Sequence, residues 1–63
     1  MPELPKALTV KQAAEYLQLS EDVIYNLTHR ADFPAVRIGR TIRIDRPRLD
    51  EWFSEHMGKV VDL

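Results

Sequence analysis

Phe33-Pro-Ala-Val-Arg-Ile-Gly-Arg-Thr-Ile-Arg-Ile44 alternates apolar and cationic residues about a single glycine. Alternation with a period of two marks a half-buried strand, and a glycine between two such runs marks the turn of a hairpin. With Gly39-Arg40-Thr41 as a three-residue loop, Ile38 faces Ile42, Arg37 faces Arg43 and Val36 faces Ile44. That register gathers the apolar side chains on one face and both strand arginines on the other, whereas a two-residue loop mixes the faces. The hairpin, over about residues 35–45, must lean its apolar face on helices, because two strands alone are barely stable. Its arginine face suits the gripping of a nucleic-acid backbone.

Upstream lie two short helical patterns. Thr9-Val-Lys-Gln12 is a capping box, and the helix it opens runs over about residues 10–17 with Ala13, Ala14 and Leu17 on one stripe. Gln18-Leu19 makes a tight connection, and Ser20 caps a second helix over about 21–30, with Val23, Ile24 and Leu27 on one face. Two helices joined by about three residues, the second capped by serine, form a helix-turn-helix signature. Asp32-Phe33-Pro34 ends the second helix, since the residue before proline disfavours helical backbone.

Downstream, Pro47 suits the first turn of a third helix over about 47–56, with Asp45 and Arg46 both candidates for its cap. Leu49, Trp52, Phe53 and either His56 or Met57 make its apolar stripe, and Gly58 is a stop signal. Residues 1–7 and 58–63 are expected to be flexible ends, although the apolar residues of the tail invite a partner. The expected architecture is one domain over 1–63, mainly α with a small β-hairpin: three helices plus a two-stranded wing.

Sixty-three residues lie near the lower limit for a self-sufficient core. Trp52, Phe53, Tyr16, Leu17 and the isoleucines are left to fill it, because the chain has no cysteine for a disulfide or thiolate site. That usage fits the cytosol, with nucleoid association in a bacterial host. The amino terminus lacks a secretory pattern, and no apolar run approaches the ~20 residues that span a bilayer. Net charge is −1, but residues 28–48 carry six arginines against Asp32 and Asp45, a balance of +4, and the remainder balances at −5. Such a two-sided field orients a chain on a polyanion more than it attracts one from afar.

Leu8-Thr-Val-Lys-Gln-Ala-Ala-Glu-Tyr-Leu17, Ser20 with Ile24-Tyr25, Phe33-Pro-Ala-Val-Arg-Ile-Gly-Arg40 and Leu49-Asp-Glu-Trp52 together resemble the excisionase family. These are small winged-helix proteins of the MerR-like superfamily. The resemblance covers residues 8–55 and implies a recombination directionality factor: a protein that binds repeated sites in attachment-site DNA, bends it and directs an integrase toward excision. It implies a second helix in the major groove and a wing on the backbone or adjacent minor groove. Tyr25 matches a position where the family keeps an aromatic near the phosphates. Asn26 stands where arginine or lysine is common, Glu21 and Asp22 where neutral or basic residues are more usual, and Gln18 where glycine is frequent.

The expected DNA-contacting set is Thr9, Lys11, Ser20, Asp22, Tyr25, Asn26, His29, Arg30, Arg37, Arg40, Thr41 and Arg43. Asn26 can read adenine through paired bonds, and Asp22 or Glu21 can accept from a cytosine amino group. Each has a plainer reading. Acidic residues suit the positive start of a helix, and His29 and Arg30 suit its end. Edge arginines also discourage sheet aggregation, Thr9 can serve only as a cap, and Tyr25 can pack between helices. Trp52 and Phe53 at helical spacing with Leu49 read as core rather than as a stacking platform for single strands.

Enzyme readings fail on inventory. His29 and His56 have no second metal-type ligand at helical spacing, Ser20 and Ser54 lack a nucleophile motif, and neither glycine belongs to a phosphate-cradling loop. No cofactor is expected. The expected partners are double-stranded DNA, an integrase and further copies of the chain assembled on direct repeats. A phage or plasmid transcriptional regulator with the same fold is the alternative, and an adaptor lacking DNA binding is the rival from another class.

Overall fold

A computed structural model of the chain describes residues 5–63. The elements run β1 (Ala7–Leu8), α1 (Val10–Leu17), α2 (Glu21–Leu27), β2 (Ala35–Ile38), β3 (Thr41–Asp45) and α3 (Arg46–Glu55). Three helices pack against a three-stranded antiparallel sheet of order β1-β3-β2, a compact winged helix-turn-helix arrangement.

α1 starts where the capping box predicts. The Thr9 hydroxyl accepts from the Gln12 amide at 3.0 Å, and the Thr9 amide donates to the Gln12 side chain at 3.0 Å. The helix stops at Gln18, which takes left-handed backbone (φ 56°), and the Leu19 amide reaches back to the Ala14 carbonyl at 2.9 Å. That six-to-one bond is the Schellman closure, made here by a residue that lacks glycine's freedom. The Ser20 hydroxyl then accepts from the Val23 amide at 3.2 Å and opens α2.

α2 is shorter than its sequence suggests, ending at Leu27 rather than near residue 30. The Thr28 hydroxyl donates to the Tyr25 carbonyl at 2.6 Å, and the His29 Nδ1 does the same at 3.1 Å. These side chains compete for the acceptor that a continuing helix needs. The Thr28 amide is shared between the Ile24 carbonyl at 3.0 Å and the Tyr25 carbonyl at 3.2 Å, and the amides of His29 and Arg30 bond three residues back, to Asn26 at 3.2 Å and Leu27 at 3.0 Å. The helix tightens into turns there.

The wing differs from the expected register. Ala35 pairs with Ile44, Val36 with Arg43, Arg37 with Ile42 and Ile38 with Thr41, leaving a two-residue Gly39-Arg40 loop. Gly39 has φ 62°, and Arg40 is not among the positive-φ residues. Of the favoured two-residue hairpin turns, only type II′ asks for positive φ at the first position alone. Turn chemistry therefore prevails over the apolar pattern. The consequence is a correction: Arg37 shares a face with Ile42, and Arg43 shares the opposite face with Val36 and Ile38. Val36 is 53% exposed and Ile38 66%, because the wing extends past the core and none of the described residues covers these side chains.

The sheet also includes a third strand. Leu8 pairs with Ile44 and Ala7 with Asp45, and the Arg46 amide donates to the Lys6 carbonyl at 2.7 Å. The expected flexible lead-in over 1–7 is thus ordered at its end, and its first four residues lie outside the described part. Asp45 proves to be the cap of α3, accepting from the Arg48 amide at 3.0 Å, with Pro47 in the first turn.

Leu8, Ala13, Ala14, Ile24, Leu27, Phe33, Ile44, Leu49 and Trp52 form the core, with Phe33 edge-on to Trp52 at 4.9 Å between ring centroids. Phe53 does not join it, being 43% exposed, and Tyr16 sits at the rim. A stripe through Leu49 and Trp52 faces inward on α3, and Phe53 lies one step off that line. Tyr16 instead donates its hydroxyl to Asp50 at 2.6 Å, tying α1 to α3. This bond to a carboxylate raises the phenol's pKa. The tail folds back rather than fraying: Val61 packs against the core, and Arg30 holds the Asp62 carbonyl at 3.1 Å.

Candidate nucleic-acid interface

The start of α1, the outer face of α2 and the tip and adjoining β3 segment of the wing border an open groove of about 600 Å³. Thr9, Val10 and Lys11 form one end, Glu21, Asp22 and Tyr25 one wall, and Arg40, Thr41, Ile42 and Arg43 the other. The spacing of α2 explains its wall: Ile24 and Leu27 are buried, which turns Glu21, Asp22 and Tyr25 outward. Seven residues of the expected set meet here: Thr9, Lys11, Asp22, Tyr25, Arg40, Thr41 and Arg43.

The other five are placed elsewhere or beside it. Ser20 lines an adjoining hollow with Lys11 and Glu21, and its hydroxyl is engaged as the α2 cap. Asn26 is exposed on α2. His29 is exposed too, with its ring edge-on to Tyr25 at 5.1 Å and its Nδ1 turned onto the helix end. Arg37 is exposed on the face of the wing that carries Ile42 and is not among the residues that line the groove.

Arg30 is engaged within the molecule. Its guanidinium forks onto Asp32, with Nε at 2.9 Å and a terminal nitrogen at 3.1 Å, and its other terminal nitrogen holds the tail. The Trp52 indole N–H also donates to Asp32 at 3.3 Å, and His56 Nε2 lies 3.5 Å away. Arg30 first, and then Trp52, hold the Asp32 carboxyl down to about 2. Arg30 closes the helical body; it does not line the groove.

The electrostatics of the groove are mixed. Lys11, Arg40 and Arg43 contribute three cations against the carboxylates of Glu21 and Asp22. Among the described residues neither carboxylate has an ion-pair partner. Arg43 also donates to the Ile42 carbonyl at 2.9 Å, which draws its guanidinium across its own strand. Sequence reasoning left out Val10 and Ile42, apolar floor residues that only the fold brings to this surface, and kept Glu21 outside the set despite its place beside Asp22. A groove with cations at its rim and carboxylates on its helical wall can hold a phosphate backbone while a carboxylate meets a base amino group. No group of three or more His, Cys, Asp or Glu side chains among the described residues is placed to hold a metal. No helix among them is long and apolar enough to cross a membrane.

Comparison with known proteins identifies the family of the chain. The model of a family described as a helix-turn-helix domain matches residues 7–57. Two Mycobacterium tuberculosis chains, from strains CDC 1551 and H37Rv, are each 40% identical over 37 residues, which is 59% of this chain and 47% of theirs. Both carry names that mark them as candidate DNA-binding proteins. The chain spans about half the length of these curated relatives. No solved structure matches it.

Proposed function

Because the chain belongs to the helix-turn-helix domain family, which its residues 7–57 match, we propose that it binds duplex DNA selectively through the α1–α2–wing groove. The observation that carries this reading is the placement of Lys11 and Arg40–Arg43 on either side of the outward wall of α2. α2 enters the major groove, Tyr25 packs near a phosphate, and Asp22 accepts from a base amino group. Arg37 and Arg40 carry the wing onto the adjacent backbone or minor groove. The near balance of charge in the groove keeps non-specific affinity low, since that affinity comes almost wholly from phosphate neutralisation.

Within that reading the chain acts as an excisionase, an architectural factor that bends attachment-site DNA and directs an integrase toward excision. The quoted sequence resemblance supports this role. One such module covers a small site, burying ~600–1,000 Å². Useful occupancy therefore asks for several copies on direct repeats, with bending shared among them.

The test is selection of bound duplexes from a randomised pool, followed by footprinting of the recovered motif. An enriched motif of one to two groove widths, occurring in tandem at an attachment site and filling cooperatively, is the expected result. Recovery of a motif found only at promoters would select a transcriptional regulator. Glu21 and Asp22 in the groove favour one rival, an adaptor without DNA binding, and failure to enrich any duplex would select it.

A further inference from the structure

β2 lies at the edge of the sheet, and none of its residues lines the groove beside α2. Among the described residues no further strand flanks it. The Asp45 amide donates to the Pro34 carbonyl at 3.0 Å, so hydrogen-bonded pairs alternate from Pro34–Asp45 through Val36–Arg43 to Ile38–Thr41. Ala35 and Arg37 consequently turn their backbone groups outward. The Ala35 amide is taken by the Phe33 carbonyl at 2.8 Å, which leaves the Ala35 carbonyl and both backbone groups of Arg37 as the open edge. Val36 and Ile38, both exposed, stand on one face of this edge, and Arg37 is exposed on the other. Sheet edges are commonly blunted by charge, and Arg37 does so on one face only.

We propose that β2 receives, as an added antiparallel strand, an extended segment of another protein in which apolar residues alternate with carboxylates. Open donors and acceptors along an edge select an extended chain, because another backbone matches their spacing. Alternation follows from the pleat: successive residues of the added strand fall beside Val36 and Ile38 on one face and beside Arg37 on the other. Charge sets the sign. From Phe33 to Ile44 the chain holds Arg37, Arg40 and Arg43 and no carboxylate. Among the described residues none of these three arginines forms an ion pair. A hollow of about 300 Å³ beside Val36 adds Arg48 and one carboxylate, Asp45, which already caps α3 and lies 3.8 Å from Lys6. Asp32, Glu51 and Glu55 gather beyond Pro34, so the carboxylates of the added strand belong toward the wing tip. A duplex can use Arg37, but its phosphates match neither Val36 and Ile38 nor the open carbonyls. A second copy is a poor occupant, because pairing β2 with β2 brings two cationic wings together.

The intact chain is titrated with a short capped peptide of alternating valine and glutamate, with its valine–lysine counterpart, and with a serine–glutamate version that lacks the apolar face. Exchange of backbone amides with solvent is followed by NMR. Saturable binding of the valine–glutamate peptide, at least about tenfold tighter than of either other, is expected, together with new protection of the Arg37 amide. Val36→Thr with Ile38→Thr should weaken that binding by about tenfold with little change in melting temperature. Equal response to the glutamate and lysine peptides, no saturable binding, or binding that leaves the Arg37 amide exchanging freely overturns the proposal. So does protection of that amide by duplex or by self-association but not by the peptide, which would assign the edge to nucleic acid or to a second copy. Peptide capture without duplex binding would remove the DNA reading and leave the strand edge standing.

Discussion

The helical body and the wing are held together by different means. Among the described residues, all nine buried side chains lie between Leu8 and Phe33 or between Ile44 and Trp52, and from Val36 to Arg43 none is buried. The body is fixed by packing, by two serine or threonine caps and by the Asp32 hub. The wing is fixed by ladder hydrogen bonds and one turn, with its side chains exposed from Val36 to Thr41 and half-buried at Ile42 and Arg43. Packing is therefore concentrated in the body, and the role proposed for the wing is to bring cations to a groove whose other wall is α2. Substitutions in the body should change folding, and substitutions in the wing should change affinity for DNA.

The largest effect is expected from Leu49→Ala. Leu49 is fully buried between α3 and the sheet, and large-to-small changes at such sites cost about 2–5 kcal/mol. For a domain this small that is a large share of the total stability, so denaturant titration should find the variant substantially unfolded at ambient temperature. A loss under 1 kcal/mol would mean that the body is not held by this core. Thr9→Ala should follow, removing the hydroxyl that accepts from Gln12 at a cost of about 1 kcal/mol. Because Thr9 also lines the groove, thermal melts and duplex binding must both be measured.

A smaller effect separates the hub from the packing. The Asp32 carboxyl, depressed to about 2 from 3.8 by Arg30 and Trp52, contributes stability that is fully present above pH 3.8. That contribution fades as pH falls through 2. Asp32→Asn should flatten this segment of the acid-unfolding curve and leave the curve near neutrality parallel to wild type. An unchanged acid limb would show that other carboxylates govern it. The smallest effect is the most diagnostic of register. Val36→Thr with Ile38→Thr should shift stability by no more than about 0.5 kcal/mol, because both side chains point away from the core. A three-residue loop would turn them inward, and the same pair would then cost several times as much.

These contrasts also explain how far the sequence can be read. Residues 10–17 of α1 are legible to the residue, because Thr9 and Gln12 form a local cap that needs no tertiary partner. α3 is legible within one residue at each end, since Pro47 and Asp45 act locally too. The end of α2 is not, because Thr28 and His29 take the Tyr25 carbonyl through side-chain bonds that propensity does not report. The wing register fails for a different reason. The assumption that every apolar side chain seeks one face holds only where a core lies beneath, and at Val36 and Ile38 none does. β1 is two residues long, too short for any period to show. Within the site, seven of twelve expected residues converge because the order of α2 and the wing follows from local signals. Arg30 departs from expectation because its partners, Asp32 and the tail carbonyl, are recognisable only once the chain has folded back.

The central claim is that the groove beside α2 grips phosphates through the cations on the wing. The salt dependence of duplex affinity, measured by fluorescence anisotropy for wild type and for Arg37→Ala with Arg40→Ala, tests it most directly. The expected result is weaker binding at every salt concentration, an unchanged melting temperature, and a log–log slope reduced by about 2, one for each phosphate that is no longer neutralised. An unaltered slope with full affinity would contradict the claim.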